Sequence, residues 1–183
     1  LIAFQNTAEA RGTGGILGAF AVVEFNKGNA KIIKSGSNSA LASLSEIPVP
    51  VTDEFLRLYG QNPAILQNSN LSPHFPYGAK IWLGLYQRQF GEDLDGVIAV
   101  DPTALSYVLR ATGSVQANGK IIDNTNVVDE TLKDAYKRYE KNNNARKQYL
   151  VQIINATTKK LMNSQYSRIE MAKAIRQGII ERR

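Results

Sequence analysis

The sequence contains no cysteine, a single histidine, His74, and no long apolar run. The absence of cysteine excludes disulfide bonds, thiolate metal ligands and a cysteine nucleophile. One histidine without a serine nucleophile motif argues against a catalytic triad and against a zinc site. No run of about eighteen apolar residues is present, so the sequence contains no candidate transmembrane helix. Because residues 1–5 resemble a strand already in progress and the chain lacks an initiator Met, we expect an excised domain, which is compatible with an upstream anchor outside this chain.

The composition is that of a globular domain with an uneven charge. The 183 residues are 43% hydrophobic, which is enough for one buried core. Residues 133–183 carry thirteen Lys or Arg against four Asp or Glu, whereas residues 1–132 carry a net charge of −3. Two interpretations of the basic segment stay open: a solvated helical surface, or a surface that contacts an anionic partner. The absence of a recognised nucleic-acid motif argues against nucleic acid as that partner.

The first two thirds of the chain combine strands with helices. Apolar runs predict strands at residues 1–5, 16–25, 30–34 and 97–100, the second and third joined by a tight turn at Asn26-Lys27-Gly28-Asn29. Helices are predicted at 53–59, 77–90 and 103–111, and a small hairpin at Asn118-Gly119. The last of these helices has Asp101 as its N-cap and Pro102 at its first position. Residues 60–76, rich in Asn, Pro and Ser, predict a long surface loop.

Helical periodicity dominates after residue 126. One predicted apolar face contains Val128, Leu132, Ala135, Tyr136 and Tyr139, and a second contains Leu150, Ile153, Ile154 and Leu161. We therefore predict an α/β fold in which a central mixed β-sheet is covered by helices on its faces, with a long C-terminal helical segment. Residues 1–165 would form this domain. Residues 166–183 would form a trailing helix, interpreted as a linker to a missing C-terminal region.

The string NTAEARGTGG, residues 6–15, places charged and amide side chains beside a glycine-rich turn. Glycines allow backbone N–H groups to approach a ligand, and an arginine binds phosphate oxygens in bidentate fashion. The string is neither a Walker loop nor a dinucleotide fingerprint. Two interpretations stay open: a phosphate or pyrophosphate site, or a turn in which Glu9 and Arg11 form an ion pair.

Arg146 is a second candidate phosphate ligand. Extending the apolar stripe of Leu150 and Ile153 back by one turn reaches Arg146, so its guanidinium is predicted to face the core near a helix N-terminus. A buried arginine needs an anionic partner, because leaving it unpaired costs about 3 to 5 kcal/mol. Either Glu9 in a structural salt bridge or a ligand phosphate satisfies that need.

Several segments together resemble the domain-of-unknown-function family 4012, which occurs outside the cytoplasm in membrane-anchored proteins of Gram-positive bacteria. They are Asn6-x-x-Glu9-x-Arg11-x-x-Gly14-Gly15, residues 95–102, Leu105, Leu109, Thr112-Gly113, Val115, Asn126 and Arg146. The resemblance runs from about residue 1 to residue 162. It implies an extracytoplasmic location, associated with the cell envelope.

That family is in turn distantly similar to the LytR-CpsA-Psr (LCP) enzymes, which transfer wall glycopolymers from a polyprenyl-pyrophosphate carrier to peptidoglycan with magnesium. The similarity implies catalytic roles for Glu9 and Arg11 and phosphate binding by Arg11, Gly14, Gly15 and Arg146. It implies an LCP-like fold, a polyprenyl-pyrophosphate lipid or anionic wall polymer as partner, and Mg²⁺ as the cofactor of any transfer. The positions that match the family's two magnesium-binding aspartates are Asn6 and Thr13, so no metal ligand is predicted.

Two functions follow as alternatives. The first is an envelope protein that binds, or transfers as an LCP-type phosphotransferase, a polyprenyl-pyrophosphate-linked glycopolymer near peptidoglycan. The second is a non-catalytic binding or structural module of the cell wall, in which Glu9, Arg11 and Arg146 form an internal salt-bridge cluster. An open apolar pocket between sheet and helices favours the first function.

Overall fold

The fold is built on a four-stranded sheet. A computed structural model describes residues 1–27, 29–163 and 165–183. The strands are β1 (Ile2–Arg11), β2 (Gly14–Asn26), β3 (Asn29–Ser37) and β4 (Ile98–Val100), in the spatial order β3-β2-β1-β4. β1 pairs with β2 and β2 with β3 in antiparallel fashion, whereas β4 runs parallel to β1. A separate hairpin is formed by β5 (Val115–Ala117) and β6 (Lys120–Ile122).

Helices connect and cover these strands. They are α1 (Asp53–Tyr59), α2 (Phe75–Phe90), α3 (Pro102–Thr112), α4 (Val127–Asp129), α5 (Ala135–Arg138), α6 (Asn143–Asn163) and α7 (Arg168–Glu181). A π-helical turn, Glu130–Asp134, joins α4 to α5, and 3₁₀ turns occupy Asn38–Ala40, Asn62–Ala64 and Leu66–Asn68. No helix in the described part of the chain is long and apolar enough to span a membrane.

Two apolar cores hold the layers together. In the first, Leu17, Phe20 and Val22 of β2 pack with Trp82 and Tyr86 of α2. In the second, residues of α3, the β5–β6 hairpin and α4 pack with α6 through Leu109, Ile122, Val127, Tyr149 and Ile153, and Phe4 of β1 packs against them. The predicted α/β fold, a mixed sheet covered by helices with a long C-terminal helical segment, is confirmed.

Several local predictions are also confirmed. β2 and β3 form the expected hairpin, with Asn26 opposite Asn29, although Gly28 of the predicted turn lies outside the described residues. The Asp101 carboxylate accepts a hydrogen bond from the backbone N–H of Ala104 at 2.8 Å, as an N-cap should, and Pro102 opens α3. The side chain of Ser167 likewise caps α7.

The prediction of a long surface loop at residues 60–76 is correct only in part, because the segment has no regular strand or α-helix before residue 75 but about half of it is not exposed. Pro63, Ala64, Leu66, Ser69 and Asn70 are buried, and α2 already begins at Phe75. The Ser69 hydroxyl accepts a hydrogen bond from the Trp82 indole at 2.6 Å, and it donates one to the carbonyl of Leu66 at 2.7 Å. Internal hydrogen bonds of this kind allow the buried residues of the segment to pack into the domain.

The π-helical turn carries a buried carboxylate that the sequence did not reveal. Glu130 is 1% exposed and forms ion pairs with Lys120 of β6 and Arg138 of α5. The Tyr149 hydroxyl of α6 donates a third hydrogen bond to it at 2.8 Å. Burial alone would raise the pKa of Glu130, but these three donors outweigh burial and lower its pKa to about 2. Glu130 therefore connects the β5–β6 hairpin to α5 and α6 through two ion pairs and a hydrogen bond.

Candidate ligand-binding site

A bulge in β1 positions the acidic part of the NTAEARGTGG string. Asn6 lies opposite Ile16 in β2, but the next paired residue is Ala10, opposite Gly15. The three residues between them, 7–9, therefore have no partner in β2 and leave the ladder. The Asn6 side-chain oxygen accepts a hydrogen bond from the backbone N–H of Ala8 at 3.0 Å, which stabilises the bulge. As a result Glu9 is displaced from the sheet.

Glu9 contacts a tyrosine from the C-terminal half of the chain. The Tyr136 hydroxyl of α5 lies 3.2 Å from a Glu9 carboxylate oxygen, and the Asn6 side-chain amide donates to the same oxygen at 3.2 Å. The amide also donates to the Tyr136 hydroxyl. Residues 130 positions apart in the sequence thus form one polar cluster at the edge of the sheet.

Arg146 completes this cluster through the ring of Tyr136. The Arg146 guanidinium carbon lies 3.9 Å from the ring centre, within the range of a cation–π contact. One guanidinium nitrogen donates to the Asn143 side chain at 2.7 Å, whereas the buried Nε atom has no hydrogen-bond partner in the described structure. Glu9 and Arg146 therefore share Tyr136 as a neighbour. We call Asn6, Glu9, Tyr136 and Arg146 the polar cluster.

The charges of the polar cluster act on Tyr136 in opposite directions. Burial raises the pKa of the phenol, and the nearby Glu9 carboxylate raises it further, while the Arg146 guanidinium lowers it. The net shift is upward, so Tyr136 stays protonated at neutral pH. It then keeps a hydroxyl proton to donate to Glu9 or to a ligand oxygen.

Arg11 forms its hydrogen bonds outside the polar cluster. Its Nε donates to the carbonyl of Gln67 at 2.7 Å, and a terminal nitrogen donates to the carbonyl of Ala10 at 2.8 Å. Within the described residues, no ion pair joins Glu9 to Arg11 or to Arg146. The structure thus links Arg146 to Glu9 through Tyr136, whereas the hydrogen bonds of Arg11 go to the backbone carbonyls of Gln67 and of its own neighbour Ala10. The predicted phosphate-binding role of Arg11 stays a prediction.

The glycine-rich turn is shaped by close backbone packing. A Cβ atom on Gly12 would lie 2.2 Å from the carbonyl oxygen of Leu71, and one on Gly15 would lie 2.0 Å from the carbonyl oxygen of Asn6. The Gly15 carbonyl accepts hydrogen bonds from the side chains of Gln5 at 3.1 Å and Asn70 at 2.9 Å. These glycines are therefore required by the protein's own packing, independently of any ligand.

Gly14 has a more open setting than Gly15. It has a positive φ of 126° and lies at a wide cleft of about 510 Å³ that Thr13, Arg182 and Arg183 also line. Gly15, in contrast, is buried. The phosphate-binding roles predicted for Gly14 and Gly15 stay predictions, and Gly14 has the more accessible position of the two.

An apolar cleft opens beside the polar cluster, between the sheet and the helices. Its walls are mainly apolar and come from β1, β2, α3, the π-helical turn and α6, and they include Phe4, Gly18, Leu105, Leu132, Leu150 and Ile154. Its volume is about 60 Å³. Since a cavity needs about 15 Å³ of this volume to hold one water molecule, the cleft has room for about four water-sized groups. Asn6 lines the cleft and also belongs to the polar cluster, so the two adjoin.

The described residues offer few ligands for a magnesium ion. Mg²⁺ is usually held by one or two carboxylates together with waters and ligand phosphates, and the described contacts bring one carboxylate, Glu9, into the polar cluster. A second carboxylate, Asp101, lines the adjoining cleft but already accepts from Ala104 and Arg183. Asn6 and Thr13, the positions that match the LCP aspartates, supply neutral oxygens. In the described residues no three His, Cys, Asp or Glu side chains come together as a metal site. The arrangement can hold an anion and an apolar group.

Comparison with known families identifies the family to which the chain belongs. Residues 1–136 match the model of the family described as "Protein of unknown function (DUF4012)". The chain belongs to this family. No match was found among the curated proteins or among the solved structures. The DUF4012 match ends earlier than the expected residue 162.

Within DUF4012, the matched segment covers most of the candidate site. It includes Asn6, Glu9, Arg11, the glycine turn and, as its last residue, Tyr136. Arg146, Leu150 and Ile154 lie beyond the match, on α6. The β1 bulge and its tyrosine partner therefore belong to the DUF4012 part of the chain, whereas the guanidinium and one wall of the cleft come from the helix that follows.

Tyr136 was missed as a site residue. Its helical spacing places it on an apolar face, which predicts a position in the core. The available signal was chemical: a tyrosine on a core-facing stripe must give its hydroxyl a polar partner. The identity of that partner depends on the β1 bulge, for which the sequence alone gives no register.

Proposed function

We propose that this DUF4012 domain binds a lipid-linked phosphate, of the polyprenyl-pyrophosphate type that carries wall glycopolymers, at the surface of the cell envelope. The observation that carries the proposal is the adjacency of an apolar cleft and the polar cluster, which share Asn6. A cleft with apolar walls suits an isoprenoid segment, and a guanidinium beside it suits a phosphate. An extracytoplasmic, membrane-anchored setting belongs to the same proposal.

The polar cluster offers a phosphate two donors of different kinds. Arg146 supplies charge, and its buried Nε has no hydrogen-bond partner in the described structure. Tyr136 supplies a hydroxyl whose raised pKa keeps it protonated. Each charge-assisted hydrogen bond contributes about 1.5 to 3 kcal/mol. Glu9 repels a phosphate, so we assign it to orienting Tyr136 and Asn6, and its predicted catalytic role stays a prediction.

The apolar cleft sets how much of the lipid is enclosed. Its volume of about 60 Å³ has room for about one isoprene unit, and the remainder of a long chain would extend beyond the cleft. Because a single carboxylate serves the cluster, we propose binding of the carrier without phosphoryl transfer.

A structural role of the same residues is the alternative, and one observation favours it. Arg146 already has an internal donor–acceptor contact with Asn143 and stacks on Tyr136, so it is partly satisfied without a ligand. In that case the polar cluster would fasten the β1 bulge to α5 and α6 in a non-catalytic module of the cell wall.

Calorimetric titration with geranylgeranyl pyrophosphate, below its critical micelle concentration, separates these functions. Inorganic pyrophosphate lacks the tail, and geranylgeraniol lacks the phosphates. We expect the complete molecule to bind at least about tenfold more tightly than either fragment, since each tenfold corresponds to about 1.4 kcal/mol.

Two variants separate the two halves of the site. Arg146→Gln should weaken binding of both phosphate-containing probes, whereas Gly18→Val, which adds a strand-favouring side chain at the cleft wall, should weaken binding of the two probes that carry the tail. Arg88→Gln, at an exposed position on α2, is the charge-matched control. Absence of binding to the wild type, with Arg146→Gln merely less stable, would favour the structural alternative.

A further inference from the structure

The last described helix, α7, has a buried face and an outward face of unusual composition. Met171, Ala174 and Gly178 are buried, at the spacing of one helical stripe, and α7 packs along α3. Arg110 of α3 donates to Gln177 at 2.6 Å, and Tyr107 donates to Glu181. The side of α7 that faces the domain is therefore defined.

Four isoleucines of α7 are exposed, of which Ile169 and Ile180 lie opposite the buried stripe and Ile175 and Ile179 lie beside it. Ile169 is 69% exposed, Ile175 54%, Ile179 71% and Ile180 61%. Single exposed isoleucines are common on protein surfaces, but four on one helix of fourteen residues form a concentrated apolar surface.

Two basic residues lie between two of these isoleucines on the outward side of α7. Ile169, Lys173, Arg176 and Ile180 follow one another at intervals of four, three and four residues, so they form one stripe, and all four are exposed. The acids of α7 lie off this stripe: Glu181 is engaged by Tyr107, and Glu170 pairs with Lys173 at 2.7 Å. Residues 165–183 carry five Lys or Arg and two Glu, a net charge of +3.

From this pattern we propose that the outward face of α7 docks on an anionic lipid bilayer surface. The isoleucines would enter the headgroup boundary, and the long Lys and Arg side chains would extend to the lipid phosphates. Basic residues near an anionic bilayer are each attracted to it, so charge and apolar area act together. This proposal goes beyond the binding of a lipid-linked phosphate and does not depend on it.

The composition of the stripe favours lipid over protein or nucleic acid. A nucleic-acid surface would gain nothing from four exposed isoleucines, and a specific protein interface is typically depleted in lysine and enriched in aromatic residues. No aromatic residue lies in α7. A mixture of aliphatic and basic side chains matches a fluid surface whose headgroups are anionic.

Flotation of the 183-residue chain with vesicles tests the proposal. Vesicles of equal parts phosphatidylglycerol and phosphatidylcholine should bind the chain at least about fivefold more than vesicles of phosphatidylcholine alone, and added salt should weaken binding. The double variants Ile169→Ser/Ile180→Ser and Lys173→Gln/Arg176→Gln should each lose most of this binding.

Matched controls change the same residue types elsewhere. Ile33→Ser/Ile121→Ser removes two isoleucines that are exposed on β3 and β6, and Lys31→Gln/Lys133→Gln removes two exposed positive charges. Both controls should float like the wild type. Gly18→Val, which adds a valine side chain at the wall of the apolar cleft, should also float like the wild type. Equal binding to both vesicle types, equal loss in the controls, or a concentration-dependent dimer that Ile169→Ser/Ile180→Ser abolishes in light scattering would each overturn the proposal.

Discussion

The guanidinium carbon of Arg146 lies 3.9 Å from the ring centre of Tyr136, and this contact connects α6 to the bulge of β1. Tyr136 in turn shares its hydroxyl with Glu9 and Asn6. A cation and a carboxylate that do not touch are thus held on two sides of one aromatic residue. Among the described ion pairs, none joins a carboxylate to this guanidinium directly.

The stacking contact itself should be measurable as a coupling energy. In a double-mutant cycle with Tyr136→Leu and Arg146→Gln, we expect a coupling of about 0.5 to 2 kcal/mol in the free energy of unfolding, the range of cation–π contacts. Urea denaturation of the four proteins measures it. A cycle between Tyr136→Leu and Arg88→Gln, whose residues share no described contact, should show additivity, and additivity in the first cycle as well would contradict the Arg146–Tyr136 contact.

The hydroxyl of Tyr136 can be removed without removing the ring. Tyr136→Phe should preserve the stacking with Arg146 but lose the hydrogen bonds to Glu9 and Asn6, at a cost of about 1 kcal/mol in unfolding free energy. Binding of geranylgeranyl pyrophosphate should weaken less than in Arg146→Gln, because the phenol is a neutral donor. If Tyr136→Phe weakens binding more than Arg146→Gln, the guanidinium is not the main phosphate ligand.

The glycine turn should tolerate substitution unevenly. Gly15→Ala would place a Cβ atom 2.0 Å from a backbone oxygen, so we expect a loss of about 3 kcal/mol or more. Gly18→Ala has 3.6 Å to its nearest neighbour, and its stability should change by less than about 1 kcal/mol. Thermal unfolding of the two proteins gives the comparison. Equal stability of the two variants would contradict the close approach of Gly15 to Asn6.

Glu130 predicts a pH dependence of stability. Its pKa of about 2 in the folded protein lies below the ordinary 4.5, so its contribution is fully present above pH 4.5 and is lost as the pH falls toward 2. The shift corresponds to about 3 kcal/mol at neutral pH. Glu130→Gln should therefore be markedly less stable than the wild type at pH 7, and the difference should shrink between pH 4.5 and 2.5.

The control for this prediction is an exposed acid. Glu54→Gln removes a carboxylate that is exposed on α1 and pairs with Arg57 in the same helix, and its effect should be within about 0.5 kcal/mol at any pH. A Glu130→Gln difference that stays constant between pH 7 and 2.5 would show that packing, not charge, holds this residue.

The sheet and the main helices could be predicted because their signals are local. The apolar runs of β1, β2 and β4, the Asp101-Pro102 helix start and the period of α6 each lie within a few adjacent residues. The partial burial of the segment 60–74 could not be predicted in this way. Its polar side chains indicate a surface loop, and only the tertiary partners of Ser69 and Asn70, such as Trp82 and the Gly15 carbonyl, reverse that conclusion.

In the candidate site, too, a local sequence pattern could identify some residues but not the contacts between them. Glu9 and Arg146 could be singled out because charges at a glycine turn and on an apolar helical stripe need partners. Their connection through Tyr136 depends on which residues leave the β1 ladder, and the bulge between Asn6 and Ala10 is a property of strand pairing. The ion cluster of Glu130 likewise depends on residues from β6, α5 and α6, which no short pattern brings together.

Photocrosslinking with an isoprenoid pyrophosphate that carries a diazirine in its tail, followed by mass-spectrometric mapping, tests the central claim most directly. Labels on Leu132, Leu150 or Ile154, competed by geranylgeranyl pyrophosphate and reduced in Gly18→Val, are the predicted result. Labels confined to α7, or labels in the cleft that Gly18→Val leaves unchanged, would contradict the placement of the lipid tail between the sheet and the helices.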